Sequence, residues 1–188
     1  MTNKTDYKYI LSIIFGTLIV ASLGASLGEI VRGDLNVTGN LTANFIYAEI
    51  WNYSSSGNEW TFSIVDADVY YNFTNLNNAG LNGFNFSSSV LTANVAGRYK
   101  ADFHLSSELS LGNSNEFSFA IVKNYDIELS RNCYARRQLA SGIVGSVSVT
   151  CFVDLDVGDT VNIQIENEDG NRNIDVHSAN LNIIRIGD

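Results

Sequence analysis

Arg98-Tyr99-Lys100-Ala101-Asp102-Phe103-His104-Leu105 alternates without a break: every even position is charged or ionisable and every odd one is apolar. A period of two sends successive side chains to opposite faces of an extended chain. This stretch therefore reads as a strand with Tyr99, Ala101, Phe103 and Leu105 in a core and the charges in water. A helix would need its apolar residues three and four apart. The same period returns downstream. Phe117, Phe119 and Ile121 alternate with Ser118 and Ala120. Val147, Val149, Cys151, Val153 and Leu155 alternate with Ser146, Ser148, Thr150 and Asp154, and Val161, Ile163 and Ile165 with Asn162, Gln164 and Glu166. Runs rich in Gly, Asn and Ser separate these segments, at residues 77–83, 112–115, 141–145 and 169–171. Short strands with no amphipathic helix between them predict an all-β domain, a β-sandwich or jelly roll.

Upstream the pattern changes. Tyr9 to Gly28 carries no charge, and a helix of that length rises about 30 Å, enough to cross a bilayer. Lys4 and Lys8 precede the run and Glu29 follows it, so the positive-inside bias leaves the amino end in the cytoplasm and exports the rest. Gly24, Ala25 and Ser26 offer cleavage sites for a secretory signal, but the run is longer than the usual signal core. An N-terminal hydrophobic helix serving as anchor is the preferred reading, and both readings export the same domain. Three regions follow: residues 1–28, a cytoplasmic tip with the anchor or signal segment; residues 29–57, a polar neck; and residues 58–188, the head. The tripeptide Arg32-Gly33-Asp34 sits too close to the anchor for a partner to reach, and chance with turn propensity accounts for it.

The chain has 20 acids against 11 bases and a net charge of −9. Nucleic acid, which is bound through basic patches, is excluded as a partner. Asparagine is abundant and proline is absent. The exported side holds the Asn-X-Ser/Thr sequons Asn36, Asn40, Asn52, Asn72 and Asn85, which suit a glycoprotein. The two cysteines, Cys133 and Cys151, read as one disulfide in an exported domain. Parity turns both sulfurs toward a core.

Three further stretches carry a resemblance. Val90-Leu-Thr-Ala-Asn-Val-Ala-Gly-Arg-Tyr99 resembles the FTAPxxGxYxF run of the complement-type globular heads and their tumour-necrosis-factor-like relatives, with Asn94 where that family has proline. Phe152 to Val161 resembles the family's L-x-x-GD-x-V run, and Ala179 to Ile186 its closing strand. The resemblance spans about residues 61–188. It implies a jelly roll that assembles as a tight trimer, in a family whose heads cap fibres and spikes on cells and viruses. The strands of Cys133 and Cys151 would then lie in opposite sheets; as hairpin neighbours instead, they would be set in register by Gly142 at their midpoint. One sheet of the family fold faces the three-fold axis. Its outward positions here are Lys100, Asp102 and His104 on one strand and Ser148, Thr150 and Phe152 on the next, with Phe152 an aromatic on a polar face.

Catalytic signatures are missing: there is no G-x-S-x-G, no phosphate loop and no H-E-x-x-H. Glu168, Asp169, Asn171 and Asp175 share one loop and offer the hard oxygen ligands of a calcium site, though not at EF-hand spacing. The expectation is a non-enzymatic, membrane-anchored or secreted trimer at a cell or virion surface, engaging a surface receptor or glycan and needing no cofactor beyond that calcium. The competing expectation is a structural subunit of an extracellular filament or virion coat.

Overall fold

The alternating segments are strands, and they stack as two antiparallel sheets face to face. The computed structural model describes residues 45–55, 57–127 and 132–187. The hydrophobic segment, Arg32-Gly33-Asp34 and the sequons Asn36 and Asn40 lie outside the described residues. Among the described residues there is no helix. Strands are numbered in chain order. The first sheet, A, holds β1 (Tyr47–Tyr53), β2 (Trp60–Phe62), β4 (Asn77–Asn82), β7 (Gly97–Leu109), β10 (Gly145–Leu155) and β12 (Ile174–Gly187). Its order is β10-β7-β12-β1-β4, with β2 also on β12. The second sheet, B, holds β3 (Tyr71–Asn72), β5 (Phe84–Ser87), β6 (Val90–Ala93), β8 (Asn115–Lys123), β9 (Tyr134–Leu139) and β11 (Thr160–Asn167), ordered β5-β6-β11-β8-β9 with β3 on β11.

The core lies between the sheets. Tyr99, Ala101, Phe103 and Leu105 point into it from β7, opposite Phe117, Phe119 and Ile121 of β8 and Val161, Ile163 and Ile165 of β11. Phe73 joins the layers, with ring centroids 5.2 Å from Phe62 and 6.4 Å from Phe103. Burying each such side chain contributes roughly 1.5–3 kcal/mol. Tyr99 keeps its hydroxyl satisfied by donating to the Val95 carbonyl at 2.6 Å. Gly97 opens β7 at φ +153°, and a Cβ there would lie 2.6 Å from the Gly187 carbonyl oxygen. The Gly97-x-Tyr99 spacing thus serves folding: one residue lets β12 pass close, the other fills the core.

Two sequence expectations are corrected here. The neck of residues 29–57 does not run to the start of the head, because Tyr47–Tyr53 is β1, paired with β12 on one side and β4 on the other. Ala48 and Ile50 are fully buried, and the stretch has the same period of two as Arg98–Leu105. The hairpin-neighbour alternative for the cysteines also fails. Cys151 lies in β10 of sheet A, whereas Cys133 immediately precedes β9 of sheet B, and the two form a disulfide with Cα atoms 5.2 Å apart. The bond clamps one sheet to the other.

Candidate functional site

Sheet A's outer face is built from four strands in register. Antiparallel pairing places Phe152, Lys100, Ile184 and Tyr47 in one row across β10, β7, β12 and β1. Next come Thr150, Asp102, Asn182 and Glu49, and then Ser148, His104, Asn180 and Trp51. Directly opposed side chains sit about 4.5–5.5 Å apart at Cβ, so each row makes contacts along its length. The sequence placed Lys100, Asp102, His104 and Phe152 on this face, and all four are there. It missed Tyr47, Trp51, Tyr53 and Ile184. The first three are visible in the alternation of Tyr47-Ala-Glu-Ile-Trp-Asn-Tyr53, inside the stretch expected as neck.

The middle rows are knitted by hydrogen bonds. Lys100 Nζ lies 2.8 Å from Asp102 Oδ2, and Thr150 Oγ1 donates to Asp102 Oδ1 at 2.7 Å. Partial burial alone would raise the Asp102 carboxyl, but the hydrogen bonds from Lys100 and Thr150 and the nearby positive charge outweigh it and hold the group below the ordinary carboxylate range. His104 Nδ1 meets Ser148 Oγ at 2.9 Å. Asn180 donates to Glu49 Oε1 at 3.0 Å, and Asn182 donates to Asn180. At the ends the face is apolar. Phe152 is 49% exposed beneath the Arg98 guanidinium, 5.7 Å from the ring centroid, and Trp51 is 43% exposed. A concavity of about 650 Å³ opens between the β1 and β10 sides, lined among others by Trp51, Tyr53, His104, Ser148 and Asn180.

The four calcium candidates are not brought together. Glu168 Oε1 sits 2.8 Å from Arg136 Nε and also accepts from Ser118 and Tyr134. Asp169 Oδ2 accepts from the Glu116 backbone at 2.7 Å, Asp175 Oδ1 accepts from Thr61 at 2.7 Å, and Asn171 is exposed. Among the described residues no three of His, Cys, Asp and Glu converge on a metal-sized space. The buried Asn167 organises this turn: its side chain accepts from Asn115 and from the Asp169 backbone and donates to the Arg172 carbonyl. His177, solitary in sequence, lies 3.4 Å from both Glu59 and Glu108.

No protein-family model and no curated protein matches the chain. Solved structures do. The chain is similar to Eiger, a tumour necrosis factor from S. frugiperda, at TM-score 0.55 and 14% identity over 78% of this chain and 95% of that one. It is similar to vertex protein P5 of PRD1 at TM-score 0.51 and 9% identity, over 78% of this chain and all of the other (100%). Murine APRIL aligns at TM-score 0.48 and 9% identity over 74% of this chain. At such identities the likeness is one of fold, and the fold is a tumour-necrosis-factor-like jelly roll.

Proposed function

We propose that this is a non-enzymatic surface protein whose jelly-roll head assembles as a homotrimer through the outer face of sheet A and serves attachment or recognition at a cell or virion surface. One observation carries the reading. Among the described residues, the large apolar side chains that strands expose, Tyr47, Trp51, Tyr53, Phe152, Ile184 and Ile186, all belong to sheet A and none to sheet B. An exposed apolar patch on one face of a sandwich is what an interface looks like before its partner arrives. The hydrogen-bonded rows between the apolar ends supply polar contacts of fixed position, which give an interface its register. Trimers are what the resemblance implies, and the Cys133–Cys151 bond suits the oxidising side of a membrane. The hydrophobic segment of residues 9–28 would supply the anchor.

Sedimentation of the full chain in mild detergent tests this reading. Discrete trimers are expected. A stable monomer at micromolar concentration overturns the assembly, and large polymers favour the filament or coat subunit instead.

A further inference from the structure

The described sequons differ in what their side chains already do. Asn52 Nδ2 donates to the Asn75 carbonyl at 2.6 Å, its Oδ1 accepts from the Tyr53 backbone at 2.8 Å, and the sequon hydroxyl of Ser54 donates to the Asn58 carbonyl. Asn85 and Asn94 exchange a reciprocal pair of side-chain amide hydrogen bonds at 2.9 and 3.2 Å. Asn72 is arranged the other way round. Its carbonyl oxygen accepts from Asn162 Nδ2 at 2.8 Å and from Gln164 Nε2 at 2.9 Å, while its own Nδ2 donates to no described residue.

The backbone completes the arrangement. Phe73, the middle residue of this sequon, is buried in the core, while Asn72 at the end of β3 and Thr74 just beyond it are exposed. Asn162 and Gln164 are buried polar residues on β11, and buried polar groups of this kind normally serve a partner. Here they fix the Asn72 amide by its oxygen and leave the nitrogen turned outward. The site also lies on sheet B, away from the face that carries Trp51 and Phe152.

From this geometry we infer that Asn72 is the preferred N-glycosylation site of the head, ahead of Asn52 and Asn85. The donor is a lipid-linked oligosaccharide. A bond forms between Asn72 Nδ2 and the anomeric carbon, the bond from that carbon to the lipid phosphate breaks, and the lipid phosphate departs with the electron pair. The nitrogen loses one proton to the transferring enzyme's base. Nothing is oxidised or reduced, and the two hydrogen bonds onto Oδ1 survive the transfer. At Asn52 or Asn85 the same step puts a hydrogen-bonded nitrogen at risk.

This inference rests on the exported reading of the chain, and one preparation separates the two. The full chain is made in a host that N-glycosylates exported proteins, its cysteine oxidation state is read by intact mass, and each sequon's occupancy by glycopeptide mapping. The expected result is an oxidised protein with occupancy at Asn72 several-fold above that at Asn52 and Asn85. Thr74→Ala, which leaves the Asn72 hydrogen bonds in place, should abolish the Asn72 glycan without changing the melting temperature. An oxidised protein with Asn72 bare, or with Asn52 or Asn85 equally occupied, overturns the inference alone. A reduced protein bare at every sequon overturns it together with the exported reading.

Discussion

The two outer faces of the sandwich solve the same problem differently. On sheet B the outward side chains bond mostly one another: Ser118, Tyr134, Glu168 and Arg136 form one group, and Asn162 and Gln164 donate to Asn72, with Asn162 Oδ1 left buried and unpartnered. Burial raises Glu166 above the ordinary carboxylate range, a sign of how closely that face is packed. Sheet A has a hydrogen-bonded centre too, but its rows carry exposed aromatics to either side of it, Phe152 on β10 and Tyr47 and Trp51 on β1 next to β4. Both faces obey the same period of two. One closes on itself and the other leaves its aromatics exposed.

The harshest way to break this comparison is to remove β1. A chain beginning at Ser56 opens the β1-facing edge of β12 along residues 178–184, leaving that stretch paired only with β7, and strips β4 of its neighbour, while sheet B keeps all its strands. Burial of Ile50 is lost with it. Soluble expression and thermal melting should show a folded protein for a chain starting at Asn44 and none for the shorter one. A cooperative melt from the Ser56 chain would mean that β1 is an accessory strand.

Next in size is the clamp between the faces. Closing the loop between Cys133 and Cys151, separated by 18 positions, stabilises by about 3 kcal/mol in the chain-entropy account. Cys133→Ser with Cys151→Ser should lower the denaturation free energy by about that amount, and reductant should do the same to the wild type but not to the double variant. A smaller effect is expected from the open face itself. Trp51→Ser should weaken trimer association by about 2 kcal/mol, a factor of roughly 30, because aromatic residues dominate interface energies. Phe152→Ser should act in the same direction, and neither should lower the melting temperature of the separated monomer. An equal substitution on sheet B, Tyr134→Ser, should leave association untouched.

The smallest effect lies at the joint where β10 of one sheet passes into β11 of the other. Asp159 is reached by Lys123 Nζ at 2.6 Å, Asn124 Nδ2 at 2.7 Å and the Asp156 backbone at 2.7 Å. Partial burial pushes its carboxyl up, but these donors outweigh it and draw it down to about 2 from 3.8. A folded value below the unfolded one stabilises above the unfolded value, and that stabilisation is lost as pH falls from about 4 through 2. Asp159→Asn should flatten the fall in melting temperature over that window without changing association. An unchanged pH profile would remove Asp159 from the account.

The alternation in Arg98–Leu105, Val147–Leu155 and Val161–Glu166 made the strands and their inward faces legible, because side-chain direction in a strand is a local property of the backbone. Tyr99 was legible for the same reason, and Gly97 and the pair Gly158-Asp159 through the family resemblance and their turn propensity. Tyr47–Tyr53 shows the same alternation, but its place in the head was not legible, since nothing local tells that its pairing partner lies at the far end of the sequence. The placement of the calcium candidates was not legible, because nearness along a loop does not make carboxylates converge: Arg136, the Glu116 backbone and Thr61 each engage one acid.

What the sequence determined by itself was the class of the domain, the outward positions of Lys100, Asp102, His104 and Phe152, and the pairing of two cysteines. These follow from period, parity and count, which need no knowledge of neighbours. Only the tertiary structure decided that β1 belongs to sheet A, that the disulfide joins opposite sheets, and that Tyr47, Trp51 and Phe152 share one open face. It also decided which sequon asparagine holds its nitrogen clear. Each of these depends on which strands pair, and pairing between residues more than a hundred positions apart is set by the burial of the whole core rather than by any local pattern.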